Sequence, residues 1–129
     1  MKGRLKFDAW LFSAKLAWHH PWIRWMSLLT GGLVIGVCLF FFWSTIPATH
    51  QHEFFVMHYN LYLGIDDVRG WEWLFLFPSV WFIVTLLDFI FAYGLYRTDA
   101  YFSLSLMTLA FTWSLPFSIA LFYLSFVNL

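Results

Sequence analysis

Charge is spread along this chain in a way that few folds tolerate. No Asp, Glu, Lys or Arg lies between Arg24 and Glu53, Asp88 stands alone between Glu72 and Arg97, and none follows Asp99. Each gap holds an apolar run of the length that roughly 30 Å of hydrocarbon requires, about 20 residues. Residues 25–47, 73–96 and 100–127 are therefore expected to be transmembrane helices. Lipid offers no partner to a backbone N–H or C=O, and the runs lack the polar alternation of barrel strands. Composition agrees: 62% of residues are hydrophobic and 11% charged, against roughly 45–50% and 25% in soluble domains. The 17 Phe, nine Trp and six Tyr exceed what the core of a 129-residue domain can bury. The expected fold is an all-α membrane protein. Three transmembrane helices follow an N-terminal amphipathic interfacial helix, and a structured outer loop joins the first two spans.

Seven Lys plus Arg balance seven Asp plus Glu, which removes the basic excess that nucleic-acid binding draws on; the single Cys38 leaves no internal disulfide framework. The basic residues are unevenly placed. Lys2, Arg4, Lys6, Lys15 and Arg24 precede the first span, Arg97 lies between the second and third, and only Arg69 falls in the connection 48–72. By the positive-inside rule the N-terminus is cytoplasmic, while residues 48–72 form an outer loop and the C-terminus lies outside, in a multi-pass protein of the cell membrane. A cleaved signal peptide is the competing reading. The segment ahead of the apolar run and the run itself are both too long for one, and Ile46 stands where a small residue is wanted before a cut after Ala48. The chain thus divides into a cytoplasmic segment, residues 1–24, and a three-helix domain, residues 25–129.

Within the first segment Arg4, Asp8, Lys15 and His19 recur near helical spacing, with Leu5, Phe7, Trp10, Phe12, Leu16, Ala17 and Trp18 supplying the apolar remainder. Residues 4–18 read as a helix lying in the membrane interface, its polar stripe interrupted by Leu11. His19-His20-Pro21 then breaks the helix, because proline lacks the N–H and biases its predecessor away from helical geometry. Trp18, Trp22 and Trp25 mark the headgroup level on this side, and Trp71, Trp73 and Trp81 on the other.

The outer loop alternates from Phe55 to Asp66: Phe55, Met57, Tyr59, Leu61, Leu63 and Ile65 are apolar, and His58, Asn60, Tyr62, Gly64 and Asp66 occupy most even positions. That is the period of a strand. An isolated strand leaves its backbone unpaired, so it needs a hairpin partner, a strand from another protein, or a place as an extended or partly helical cover over the outer helix ends. We favour the cover. The same loop holds His50, His52, His58 and Glu53, the ligand types of zinc, although structural zinc spacings come as two tight pairs and these do not.

The run His58-Tyr59-Asn60-Leu61-Tyr62-Leu63-Gly64-Ile65-Asp66 resembles the H-Y-N-x-Y-x-G-I-D segment of a family of small, uncharacterised three-span bacterial membrane proteins. In that family a turn with glycine and tryptophan follows, then a proline near the start of the next span and an Asn-Phe pair inside it. Gly70-Trp71, Pro78 and Asp88-Phe89 stand in those places in order. The resemblance covers roughly residues 54–99 and implies a bacterial inner-membrane location and no assigned activity. This chain departs from the pattern at Asp88, a carboxyl where the family has an amide.

An acid in a span is a functional hypothesis by default, since an ionised carboxylate in hydrocarbon costs about 2.5–3.5 kcal/mol. If the second and third spans form an antiparallel hairpin about Thr98, Asp88 lies level with Leu109. Ser105, Thr108 and Thr112 share one helical face near that depth and are expected to hydrogen-bond protonated Asp88 as an interhelical clamp. Ion or proton handling is the alternative, but no second acid or buried base accompanies Asp88 in any span. Gly32-x-x-x-Gly36, with Ser27 and Gly31 as a second small pair, allows close helix approach, expected against the protein's own spans before a dimer seam or a partner. Pro116 is expected to kink the third span unless a neighbouring hydroxyl such as that of Ser118 satisfies the freed carbonyl.

Enzyme activity has no support. There is no G-x-S-x-G, no phosphate-cradling glycine loop and no H-E-x-x-H, and Cys38 sits deep in a span. No cofactor is implied. The expected function is that of a small structural or accessory subunit, or scaffold, of a membrane assembly, with the bilayer and a membrane-protein partner or a second copy as its contacts. A homo-oligomeric transporter or channel using Asp88 is the alternative. An outward-facing metal-binding or sensing protein is the third class.

Overall fold

The computed structural model describes residues 2–50, 54–60 and 64–128. Among these, helix α1 spans Lys2–His19, α2 Pro21–Thr49, α3 Trp71–Leu95 and α4 Ala100–Val127. Strands β1, Phe54–Asn60, and β2, Gly64–Gly70, pair antiparallel between α2 and α3. Helices α2, α3 and α4 are each long and apolar enough to cross a membrane.

The three long helices bury a mixture of large apolar, small and hydroxyl-bearing residues and leave many more large apolar residues outside. Residues recurring every three or four positions are buried: Ile23, Ser27, Thr30, Val34, Cys38, Phe41 and Thr45 on α2; Leu74, Pro78, Trp81, Thr85 and Ala92 on α3; Ser103, Met107, Ala110, Ser114, Leu121 and Ser125 on α4. Four of the buried hydroxyls return to their own helix: Ser27, Thr45, Thr85 and Ser114 each donate to the carbonyl four residues back, at 2.6–2.9 Å, whereas the Thr30 hydroxyl has no partner among the described residues. Satisfied in this way, those four let neighbouring backbones approach without being left bare in hydrocarbon themselves. The outer surface is apolar too, with Trp43 85%, Ile119 71% and Leu39 64% exposed. Side chains that water would drive inward face outward here, which fits a lipid solvent.

Helix α1 ends where the sequence places the break. Only His20 separates it from α2, whose first residue is Pro21, a position where the missing N–H has no partner to lose. The helix that carries the first span therefore starts four residues before Trp25. Helix α1 is not independent of the bundle. The Trp10 indole donates to Ile90 O at 3.3 Å, Ser13 Oγ accepts the Arg97 N–H at 3.0 Å, and Ala17 is fully buried with Ile23, Ala92 and Met107. Its buried residues are small, Ser13 and Ala17, with Ala14 half-buried beside them, while Asp8, Lys15 and His19 are exposed.

Helix α3 starts at Trp71, ahead of the expected Trp73, and the described residues of the connection form a hairpin in place of the expected extended or partly helical cover. Residues 54–60 and 64–70 pair with each other, Phe54 opposite Gly70 and Asn60 opposite Gly64, with irregularities on either side of His58. The pairing satisfies the backbone that a lone strand would leave open. Phe55, 2% exposed, inserts among Val34, Cys38, Phe41, Leu74, Trp81 and Leu121, so the sheet closes one end of the bundle. In α4, Ser118 Oγ donates to Ser114 O at 2.6 Å. The carbonyl freed by Pro116 belongs to Thr112, so this hydroxyl does not serve the role expected of it.

Candidate functional site

Asp88 lies on the buried stripe of α3, half-buried and facing α4. The turn between these helices is fixed by Asp99, whose carboxylate accepts the Phe102 N–H at 2.9 Å as an N-cap. Depth across the pair is close to expectation: Asp88 shares a cavity of about 300 Å³ with Ala110, one position from Leu109. Thr85, Trp81, Trp113 and Phe117 line the same cavity, and Trp81 stacks on Phe117 with ring centroids 5.9 Å apart and planes 14° apart.

The clamp does not form. Ser105, Thr108 and Thr112 are exposed. Thr108 Oγ1 donates to Leu104 O at 2.8 Å and accepts the Trp22 indole N–H at 3.2 Å, while Thr112 Oγ1 donates to Thr108 O at 2.8 Å. The reason is angular. With Ala110 turned toward Asp88, residues two positions either way lie about 200° round the helix. Among the described residues no group hydrogen-bonds to Asp88. Trp81 is 4% exposed, and its indole nitrogen also has no partner among them.

Only one of the two small pairs of α2 packs against the protein's own spans as expected. Ser27 shares a 2.7 Å hydrogen bond with the Tyr93 hydroxyl, and a Cβ added at Gly31 would sit 3.7 Å from Phe89, so this pair meets α3. Gly32 and Gly36 face outward, and a Cβ at either would meet nothing within 4 Å, so they do not pack against the protein's own spans. The outward face of α2 also carries Trp25, Leu39 and Trp43.

Of the candidate metal ligands, His50 is exposed at the end of α2, and His52 and Glu53 lie outside the described residues. The backbone of His58 stands opposite Asp67 in the sheet. Among the described residues no group of three or more His, Cys, Asp or Glu is placed to hold a metal. In the H-Y-N-x-Y-x-G-I-D segment, Asn60 ends β1 and Gly64 opens β2, which also holds Asp66; Tyr62 lies outside the described residues. Asn128 is a residue that the sequence reading misses. Its side-chain amide binds the backbone of Val56 at both N–H and C=O, and Leu124 O as well. The available signal was a lone amide at the end of a charge-free apolar run, a group that needs partners in or near lipid.

Comparison with protein-family models, with curated proteins and with solved structures finds no match for this chain.

Proposed function

We propose that this chain is a small structural or accessory subunit of a membrane assembly, joined to its neighbours through the outward face of α2. The observation that carries the reading is the open space over Gly32 and Gly36, a close-approach motif that the chain's own helices leave unused. The membrane is the bacterial inner membrane, as the resemblance of residues 54–99 implies. The N-terminus lies in the cytoplasm and the sheet outside, a sidedness supported by five basic residues ahead of Trp25. In this setting α1 is an amphipathic anchor, with Asp8, Lys15 and His19 toward the headgroups and the small stripe against α3.

A homo-oligomeric transporter fits less well. The Asp88 cavity is lined by α3 and α4 alone, so copies meeting through the outward face of α2 would hold their carboxyls away from a shared axis. The test is native mass measurement of gently solubilised protein, wild type beside Gly32→Ile/Gly36→Ile. The reading expects a wild-type assembly larger than one chain that the double variant breaks. A single-chain mass for both would remove it.

A further inference from the structure

We propose that the cavity between α3 and α4 binds a monovalent organic cation with an apolar body, the chemistry of a lipophilic amine or quaternary ammonium. The cavity has a direction. Trp81 stacks on Phe117 across the antiparallel pair, with ring centroids 5.9 Å apart. That register sets Thr85 level with Trp113 and Asp88 level with Ala110, all of them lining a space of about 300 Å³. One end therefore holds a carboxyl and the other an aromatic pair, separated by about 10 Å of helix. Val80, Val84 and Trp113 line it as well and are each about half exposed, so the space opens sideways to lipid.

The carboxyl selects the charge. Asp88 has no hydrogen bond among the described residues, and its oxygens are not among their sealed, unpartnered side-chain atoms, which belong to His20, Thr30 and Trp81. The Thr85 hydroxyl, by contrast, is buried and donates to Trp81 O at 2.9 Å. Asp88 is thus the polar side chain of the lining that a ligand can reach. Ionised and alone in hydrocarbon it is costly, and a ligand of opposite charge relieves that cost. Ala110 leaves room beside it, and Trp113, one level along, is of the ring type that attracts cations most strongly. A hard metal ion would find one carboxyl where it needs about six oxygens. A neutral molecule or an acyl chain would fill the volume and leave the carboxyl unpaired. A lipid headgroup ammonium brings a phosphate with it, and no basic residue lines the cavity. Binding is what the geometry assigns; no transport is part of it.

The test is equilibrium binding of tritiated phenylbutyl-trimethylammonium to the full chain in phosphatidylcholine nanodiscs, beside the uncharged isostere in which carbon replaces the quaternary nitrogen. The expected result is saturable uptake of one cation per chain, above that of empty nanodiscs, which the isostere does not displace. Asp88→Asn, nearly the same shape without the charge, and Asp88→Leu should each weaken binding about tenfold or more. Ala110→Phe, which fills the space beside the carboxyl, should abolish it, and Trp113→Leu should weaken it several fold. Uptake no greater than that of empty nanodiscs would overturn the proposal. So would displacement by the isostere at equal concentration, or a folded Asp88→Asn or Asp88→Leu that binds as the wild type does.

Discussion

The side-chain amide of Asn128 pairs with the backbone of Val56 as a neighbouring strand would. The Val56 N–H donates to Oδ1 at 2.7 Å, and Nδ2 donates to Val56 O at 2.8 Å and to Leu124 O at 2.9 Å. One residue beyond the last helix thereby ties the sheet to α4 and covers an edge of β1 that would otherwise invite another strand. Asn128→Ala removes both partners of Val56, at about 1 kcal/mol for each hydrogen bond. Hydrogen exchange at the Val56 amide should then run about tenfold faster or more, with the long helices unaffected. Asn128→Asp, which keeps an acceptor but no donor, should fall between. Unchanged exchange in both variants would mean that Phe55 alone holds the sheet.

Gly94 makes room for α1. A Cβ there would fall 2.5 Å from the Trp10 indole nitrogen, so Gly94→Ala forces the ring to swing away and give up Ile90 O. Overpacking of this kind typically costs about 1–3 kcal/mol. We expect a lower melting temperature and faster proteolysis within α1, while Gly32→Ala, with open space above it, should leave the isolated chain's stability unchanged.

At Asp88 the structure reverses the expectation that a clamp creates. A lost clamp would weaken the fold by roughly 0.6–1.7 kcal/mol, but no hydroxyl reaches this carboxyl among the described residues. Asp88→Leu should therefore melt at or above the wild-type temperature, because a polar group leaves an apolar setting. Thr108→Val and Thr112→Val should change the melting temperature by the same small amount whether residue 88 is Asp or Leu. Coupling between the sites in that double-mutant comparison would restore the clamp.

Sidedness is testable by fusion. A reporter active only outside should work after Leu129 and fail ahead of Met1, since the basic residues cluster before α2. Activity at both ends would require an even number of crossings.

The helices were legible because charge is absent from long runs and because Pro21 breaks the chain in a way that few contexts override. Depth across α3 and α4 was legible too, since a short turn fixes it. The azimuth was not. Periodicity names candidate faces, and α4 turns Ser103, Ala110 and Ser114 inward in place of Ser105, Thr108 and Thr112. Both sets have hydroxyls at helical spacing; the inward set adds an alanine that lets the backbones close. On α2 the same choice separates Gly31 from Gly32, neighbours about 100° apart. The sheet showed as a period of two, but pairing is a long-range property: Phe55 facing Arg69 is not written in either strand alone. Asn128 escaped notice because its partners lie 72 residues away.

Contact between the Gly32–Gly36 face of α2 and another protein in the membrane can be read directly by photocrosslinking. Benzoylphenylalanine placed at Leu39, 64% exposed on that face, and at Ile119, 71% exposed on α4, offers two equally accessible positions on different sides of the bundle. After illumination of intact membranes, the account predicts a protein adduct from position 39 and little or none from position 119. Adducts to lipid alone from both positions would contradict it.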